Sequence, residues 1–246
     1  MRILVLIHEY PPIGGGGGRV AQDLCIGLAK RGYELTVLTS HFEGLPLDET
    51  VGGVRVIRLK SLRREPYKAS FLAMGAYLLA GWKRGMQLAR EWKPDLIHVH
   101  FAVPAGALAW ILRRLAGIPY ILTAHLGDVP GGVPEKTGRW FRWIYPFTPP
   151  IWKRARRVVA VSEHTRQLAL KHYTVPIQVI PNGVDLSDLE PGKIHPGDPP
   201  QIVFAGRFVA QKNPLQIIRT LARLRHLPWH CVMAGDGPLR LEMDAE

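Results

Sequence analysis

Residues 3–7, Ile-Leu-Val-Leu-Ile, form an unbroken apolar run that stops at His8-Glu9-Tyr10-Pro11-Pro12. Five glycines follow, Gly14 to Gly18, and apolar residues then return at helical spacing as Val20, Leu24 and Leu28. A short apolar run ended by proline and glycine predicts a buried parallel strand, and the wider spacing beyond it predicts a helix. The alternation continues. Residues 34–39 and 54–59 read as strands with 40–53 as the loop between them, and residues 67–92 as a long helix carrying Leu72, Leu79, Met86 and Leu88. Residues 96–100 and 120–124 are strands flanking a helix over 104–115; a strand at 158–161, a helix running to Lys171 and a strand at 177–180 complete the series. Strands alternating with helices predict a doubly wound parallel sheet in an α/β protein.

The pattern then breaks. Residues 186–200 hold Pro191, Pro196, Pro199, Pro200, Gly192 and Gly197, the composition of a linker. Beyond it the αβ pattern resumes: a strand at 201–205, Gly206-Arg207, Lys212-Asn213-Pro214 opening a helix to Arg225, and a strand at 229–234 closed by Gly235-Asp-Gly-Pro238. The expected organisation is a Rossmann-like domain over residues 1–185, a linker over 186–200 and a second Rossmann-like domain over 201–246.

Ligands of open parallel sheets bind at the carboxyl ends of the strands, which is where the glycine run falls. Glycines let backbone N–H groups approach a ligand closely, and the next helix adds its positive end, so a phosphate or sugar site is expected. Two familiar loops do not fit. A dinucleotide fingerprint needs a third glycine where Arg19 stands, and a P-loop needs a lysine well before Lys30. His98 and His100, two apart on a strand, point to one face; with no third ligand evident they read as cleft-lining histidines rather than a metal pair. His125 and Asp128 follow the next strand at the same sheet edge, although an Asp beside Gly and Pro also commonly caps a turn. Arg207 and Lys212 flank a strand-to-helix turn, where both cations can converge on an anion such as a diphosphate.

Composition narrows the partners. The 246 residues are 47% hydrophobic, enough for a sizeable core, and carry a net charge of +12. No helix-turn-helix, zinc-finger or RNP pattern accompanies that charge, which argues against nucleic acid. Two distant cysteines, Cys25 and Cys231, make neither a disulfide framework nor a zinc site. No long apolar run or leader pattern is present, so a cytoplasmic location is expected. Residues 139–157 interleave Arg139, Arg142, Lys153, Arg154, Arg156 and Arg157 with Trp140, Phe141, Trp143, Tyr145, Phe147 and Trp152, and contain no acid. Such a mixture suits the headgroup region of an anionic membrane, with Trp140, Arg142, Trp143, Lys153 and Arg154 as the contact residues. A packed helix pair with a solvated basic rim would look the same.

Taken in order, the glycine loop, Pro94-Asp95-Leu-Ile-His98-Val-His100, Thr123-Ala-His125-x-x-Asp128, Val161-Ser162-Glu163, Ile180-Pro-Asn182-Gly-Val-Asp185, Gly206-Arg207 with Lys212-Asn213-Pro214, and Gly235-Asp-Gly-Pro238 resemble the glycosyltransferases of the GT-B fold, family 4 type. The resemblance covers essentially the whole chain. It implies two Rossmann-like domains with the active cleft between them, a nucleotide-sugar donor held mainly by the second and a hydroxyl acceptor, glycan or lipid-linked, held mainly by the first. It implies that Arg207 and Lys212 bind the donor diphosphate, with Gly15, Gly16, Gly17, Asn182 and Gly235 also on the donor side. His125, with Asp128, would serve the transferred sugar, and His98, His100, Ser162 and Glu163 would lie on the acceptor side. The implied chemistry is transfer with retention of configuration, without a resident cofactor or metal. Fixed cations facing developing negative charge supply that stabilisation, and the sequence has no Asp-x-Asp metal motif.

In one respect the chain departs from the family. Members continue for well over another hundred residues, through a paired-glutamate motif and a base-binding loop, and Glu242 and Glu246 lack that motif's surroundings. The second domain is therefore expected to be incomplete and the chain alone inactive. Two alternatives stand beside the transferase: a non-catalytic acceptor- or membrane-binding module of this fold, and a GT-B sugar-nucleotide epimerase.

Overall fold

In the computed structural model the described residues are 1–66, 69–133, 141–184, 186 and 199–246. The expected helix start at Tyr67, Trp140 of the basic segment, Asp185 and most of the linker lie outside them, as does the side chain of Arg142. The chain divides into two compact units, Met1–Asp185 and Leu186–Glu246.

The first unit is built on one eight-stranded sheet. In chain order its elements are β1 (Arg2–Leu6), α1 (Gly16–Lys30), β2 (Glu34–Ser40), β3 (Asp48–Val51), β4 (Val54–Leu59), α2 (Phe71–Glu91), β5 (Leu96–His100), α3 (Ala107–Ala116) and β6 (Tyr120–Ala124). They continue with α4 (Phe141–Ile144), α5 (Pro149–Arg154), β7 (Arg157–Ala160), α6 (Glu163–Leu170) and β8 (Ile177–Val179). The strand order is β3-β4-β2-β1-β5-β6-β7-β8, and every pairing is parallel except β3 with β4. The chain builds outward one way from β1 and, after α2, the other way from β5. The switch point between β1 and β5 opens a crevice at their carboxyl ends.

Alternation along the strands separates two cores. Leu4, Leu6, Leu38, Ile97, Val99, Leu122 and Val158 pack on one face under α2 and α3, while Ile3, Val5, Ile7, Leu35, Val37, Val54 and Val56 pack on the other with Ala21 and Cys25 of α1. On that second face β5 presents His98 and His100, so polar rings stand where β1 and β2 place aliphatic side chains. Helix α2 starts at Ser70, whose hydroxyl accepts from Ala73 N at 3.2 Å. Its buried stripe is Ala73, Tyr77, Gly81, Gly85 and Leu88, whereas Leu72 and Leu79 are exposed. A Cβ on Gly81 would sit 2.5 Å from Leu108, and one on Gly85 2.8 Å from Leu112, so these glycines bring α2 close against α3.

Residues 40–53 are not wholly loop. Asp48–Val51 forms β3, a hairpin with β4 through Gly52 (φ 58°) and Gly53 (φ 79°). Two successive glycines at positive φ make the tight turn that matches strand twist. The polar Asp48-Glu49-Thr50 run concealed the strand, although the glycine pair announced it.

The second unit holds β9 (Gln201–Ala205) and β10 (His230–Ala234), paired in parallel, with α7 (Pro214–Arg223) and α8 (Arg240–Ala245). Phe208, Leu215 and Met243 form its core, flanked by Phe204, Ile218, Met233 and Leu239. None of the described helices is long and apolar enough to cross a membrane.

Candidate active site

The last three glycines of the run are helix rather than loop: α1 begins at Gly16, behind Gly15 as N-cap, with no side-chain cap. The helix can start on glycine because its surroundings leave no room for more. A Cβ on Gly18 would fall 2.4 Å from the Glu9 carbonyl oxygen, and one on Gly17 would fall 2.5 Å from the Phe101 ring and 3.5 Å from His125. Gly16, by contrast, faces open space. The uncapped first turn thus leaves N–H groups and the positive helix end beside two aromatic rings.

Those rings belong to the ends of β5 and β6. Phe101 has φ 71°, an unusual backbone for a bulky residue. That turn brings its ring onto His125, with centroids 4.5 Å apart and planes 28° from parallel, and edge-on to His8 at 5.4 Å. Asp128 holds the stack from behind: one carboxylate oxygen accepts from His125 N at 2.8 Å and the other from Ala102 N at 2.8 Å. A single buried carboxylate thereby fixes the backbone at both rings.

The histidines form one cluster. His98 Nε2 bonds Thr123 Oγ1 at 2.8 Å, His100 Nδ1 meets His125 Nε2 at 3.3 Å, and the His98 and His100 rings are 4.5 Å apart. Burial brings the pKa of His98 and of His125 down to about 4, and that of His100 well below its ordinary value, with neighbouring histidines pushing His100 and His125 further the same way. All three are neutral at pH 7, able to donate and accept hydrogen bonds. Among the described residues there is no group of three His, Cys, Asp or Glu side chains arranged to hold a metal.

The loop that carries His8 and Glu9 is tied down by a residue that no sequence motif singles out. Arg63 is buried, donates to the carbonyls of His8 (3.0 Å), Glu65 (2.9 Å) and Pro66 (3.1 Å), and pairs with Glu9 at 3.5 Å. Gly14 N donates to the same Pro66 carbonyl at 2.7 Å. Arg58 does similar work further along, donating to Pro11 and Pro46 carbonyls and pairing with Glu49 at 2.5 Å. Sequence spacing cannot reveal contacts made across fifty residues, and Phe101 was hidden because its place on His125 depends on a positive φ.

Ser162 and Glu163 have local partners in α6. The Ser162 hydroxyl accepts from Thr165 N at 3.1 Å as N-cap, and Glu163 pairs with Arg166 at 2.7 Å. Asn182 is exposed. In the second unit Arg207 is half-buried and Lys212 exposed; the side chain of neither has an ion-pair or hydrogen-bond partner among the described residues. Asn213, at φ 48°, turns the chain from Lys212 into Pro214 at the start of α7. A Cβ on Gly235 would lie 1.9 Å from the Gly206 oxygen, so the loop after β10 closes directly on the one that carries Arg207.

Residues 14–188, from the first glycine onward, match the family model described as Glycosyltransferase Family 4. The chain belongs to glycosyltransferase family 4. It is 27% identical over 263 residues to a glycogen synthase of Mycobacterium tuberculosis, covering 96% of this chain and 62% of that one. It is 36% identical over 168 residues to the 2-deoxystreptamine N-acetyl-D-glucosaminyltransferase of Streptomyces fradiae, covering 64% of this chain and 39% of that one. Sucrose-phosphate synthase from Thermosynechococcus elongatus superposes with a TM-score of 0.78 at 19% identity, over 99% of this chain and 65% of that one. The shared fold is the GT-B α/β fold. This family 4 chain therefore spans less than two thirds of the length of these relatives.

The basic aromatic segment of the family 4 chain is divided. Trp152 is buried and stacked on Tyr173, with centroids 4.1 Å apart and planes at 9°, and Phe141 is buried too. Trp143 and Phe147 remain 77% and 75% exposed, and Lys153 and Arg154 are exposed at the end of α5. Among its described aromatics, two thus belong to the core, two face water and Tyr145 is half-buried.

Proposed function

We propose that the protein transfers a sugar from a nucleotide-sugar donor to a hydroxyl acceptor, with retention of configuration. The observation that carries the reading is the first turn of α1 set against the Phe101–His125 stack: an uncapped helix N-terminus beside a neutral imidazole offers donors to a phosphate and to sugar hydroxyls at once. His125 serves the sugar, and Asp128, whose oxygens are both engaged by backbone N–H groups, serves as a positioning residue. Arg207 and Lys212, whose side chains have no partner among the described residues, serve the diphosphate from the β9–α7 turn and stabilise the charge that develops as it leaves. Departing phosphate then takes the acceptor proton. The names of the two relatives point to different acceptors, so the acceptor is proposed only as a glycan or lipid-linked hydroxyl.

Calorimetric titration of UDP, GDP and ADP tests the donor assignment. At least one should bind, and Arg207→Ala or Lys212→Ala should weaken it by about 1.5–3 kcal/mol, the size of a charge-assisted contact. Unchanged affinity in both variants would remove the assignment. The exposed Trp143 and Phe147 beside Lys153 further favour peripheral contact with an anionic membrane at its cytoplasmic face. Flotation with anionic vesicles at low salt should fall in a Trp143→Ser/Phe147→Ser variant. Equal binding to neutral vesicles would leave the segment a solvated rim.

A further inference from the structure

Because β5 and β6 run parallel, α3 must carry the chain back from the carboxyl ends of the strands to their amino ends, away from the histidine cluster. Its last turn holds Arg113 and Arg114, and it stops at Gly117, whose φ of 73° and N–H bond to the Arg113 carbonyl at 3.0 Å close the helix. Helix α5 reaches the same level: Arg154 ends it, and Arg156 N donates to the carbonyl of Tyr120, the first residue of β6, at 2.8 Å. Trp110, Arg113, Arg114, Gly117 and Arg154 line an open cleft of about 330 Å³ there.

Cations at a helix C-terminus are ordinary, yet three around one cleft repel one another unless something negative sits among them. None of the three guanidinium groups has an ion-pair or hydrogen-bond partner among the described residues, and the sequence has no Asp or Glu over residues 96–127 or 141–162, the stretches that include α3 and α5. The Tyr120 hydroxyl is buried and donates to the Ile151 carbonyl. Burial raises its pKa while the charges of Arg113 and Arg154, carried on different helices, act to lower it, so both guanidinium groups lie within electrostatic range of that hydroxyl. Guanidinium forks match phosphate oxygens in pairs, and the Trp110 ring gives the cleft an apolar wall.

We propose that this cleft is a second anion site, for a phosphoryl group, at the sheet edge opposite the α1 turn. Its volume suits a phosphate or diphosphate together with a small organic portion. The phosphoryl group is that of a soluble phosphorylated compound or that of a lipid headgroup.

The test uses the whole chain carrying Arg207→Ala and Lys212→Ala, so that the donor turn contributes nothing. Pyrophosphate should still bind by calorimetry at low salt, and adding Arg113→Gln/Arg114→Gln should weaken it at least tenfold. Arg154→Gln alone, an exposed side chain on another helix, should act in the same direction with an unchanged thermal midpoint. If pyrophosphate does not bind but flotation with phosphatidylglycerol vesicles drops several-fold in the same arginine variants, while the Trp143→Ser/Phe147→Ser variant keeps that arginine dependence, the site takes a lipid phosphate. If neither pyrophosphate nor vesicle binding responds to these arginines, the proposal is wrong, whatever becomes of the donor assignment.

Discussion

The Phe101 ring stacks on His125 with centroids 4.5 Å apart, and the backbone of Gly17 passes so near that a Cβ there would fall 2.5 Å from Phe101. Alanine in a helix is normally favoured over glycine by roughly 0.5–1 kcal/mol. At Gly16, where a Cβ meets nothing within 4 Å, Gly16→Ala should raise stability by about that amount. Gly18→Ala should lower it by about 1–3 kcal/mol, because the Glu9 carbonyl 2.4 Å away is backbone and cannot swing aside. Gly17→Ala should fall between them and disturb the Phe101–His125 stack. Urea denaturation of the three variants orders them. Equal effects would mean that the first turn of α1 is not packed as described.

The histidine cluster predicts a pH dependence. Burial lowers the folded-state pKa of His98 and His125 to about 4, against an ordinary value of 6.5. Between these values the unfolded chain binds more protons, so stability is complete above about pH 6.5 and is lost as pH falls toward about 4. Each histidine contributes at most about 1.4 kcal/mol per pH unit within that window. His100, shifted the same way, extends the loss to lower pH. Thermal midpoints measured from pH 4.5 to 7 should rise, and a His98→Gln variant should show a shallower slope.

Arg63 joins Glu9 in a setting where the guanidinium has no exposed surface and the carboxylate little. Replacing it with methionine would strand a carboxylate and deprive three carbonyls of a donor, a change that costs about 3–5 kcal/mol for a broken buried pair. The damage should centre on residues 8–14, which these bonds hold. Arg63→Met should therefore lower stability and, in the titrations above, weaken nucleoside diphosphate binding as well. A variant as stable as the parent would show that the loop is held by other means.

Much of the architecture was legible because buried parallel strands are largely apolar: the runs around Leu4, Val37 and Leu122 need no partner to be recognised. Strand β3 was not, since one face meets water and its residues are polar. In α2 the periodic leucines suggested the wrong face; Leu72 and Leu79 are exposed because the close approach of α3 selects Gly81 and Gly85 for the interface. At the site, motif residues such as His98, His100 and His125 could be named from their strand ends. Their supports were less legible: Phe101 depends on a positive φ and Arg63 acts through bonds to distant backbone, while Asp128 was named beside His125 but its grip on the backbone at Ala102 was not. The basic segment was ambiguous for a third reason. Prolines break its periodicity, so nothing in the pattern distinguishes buried Trp152 from exposed Trp143.

The last prediction concerns the uneven protection of the two units. In residues 201–246 the sheet has only two strands, and side chains that a parallel sheet normally buries lie open: Val203 is 63% exposed, Val232 39% and Ile202 37%. The core that opposes unfolding there consists of Phe208, Leu215 and Met243, whereas β1, β2 and β5 lie inside an eight-stranded sheet with apolar cores on both faces. Local opening becomes easier as buried apolar contact falls. Amides of β9 and β10 in this chain should therefore exchange with deuterium on the order of tenfold faster, or more, than those of β1 and β5. Within the second unit, protection should be greatest at Phe208, whose N–H bonds the Asp236 carbonyl at 2.9 Å and whose carbonyl accepts from Leu239 N at 3.1 Å. Gly235→Ala should abolish even that protection, since a methyl group there collides with the Gly206 carbonyl, and it should leave exchange in β1 and β5 unchanged. Equal protection of β9 and β1 would show that the exposed strand faces of the second unit are covered in solution.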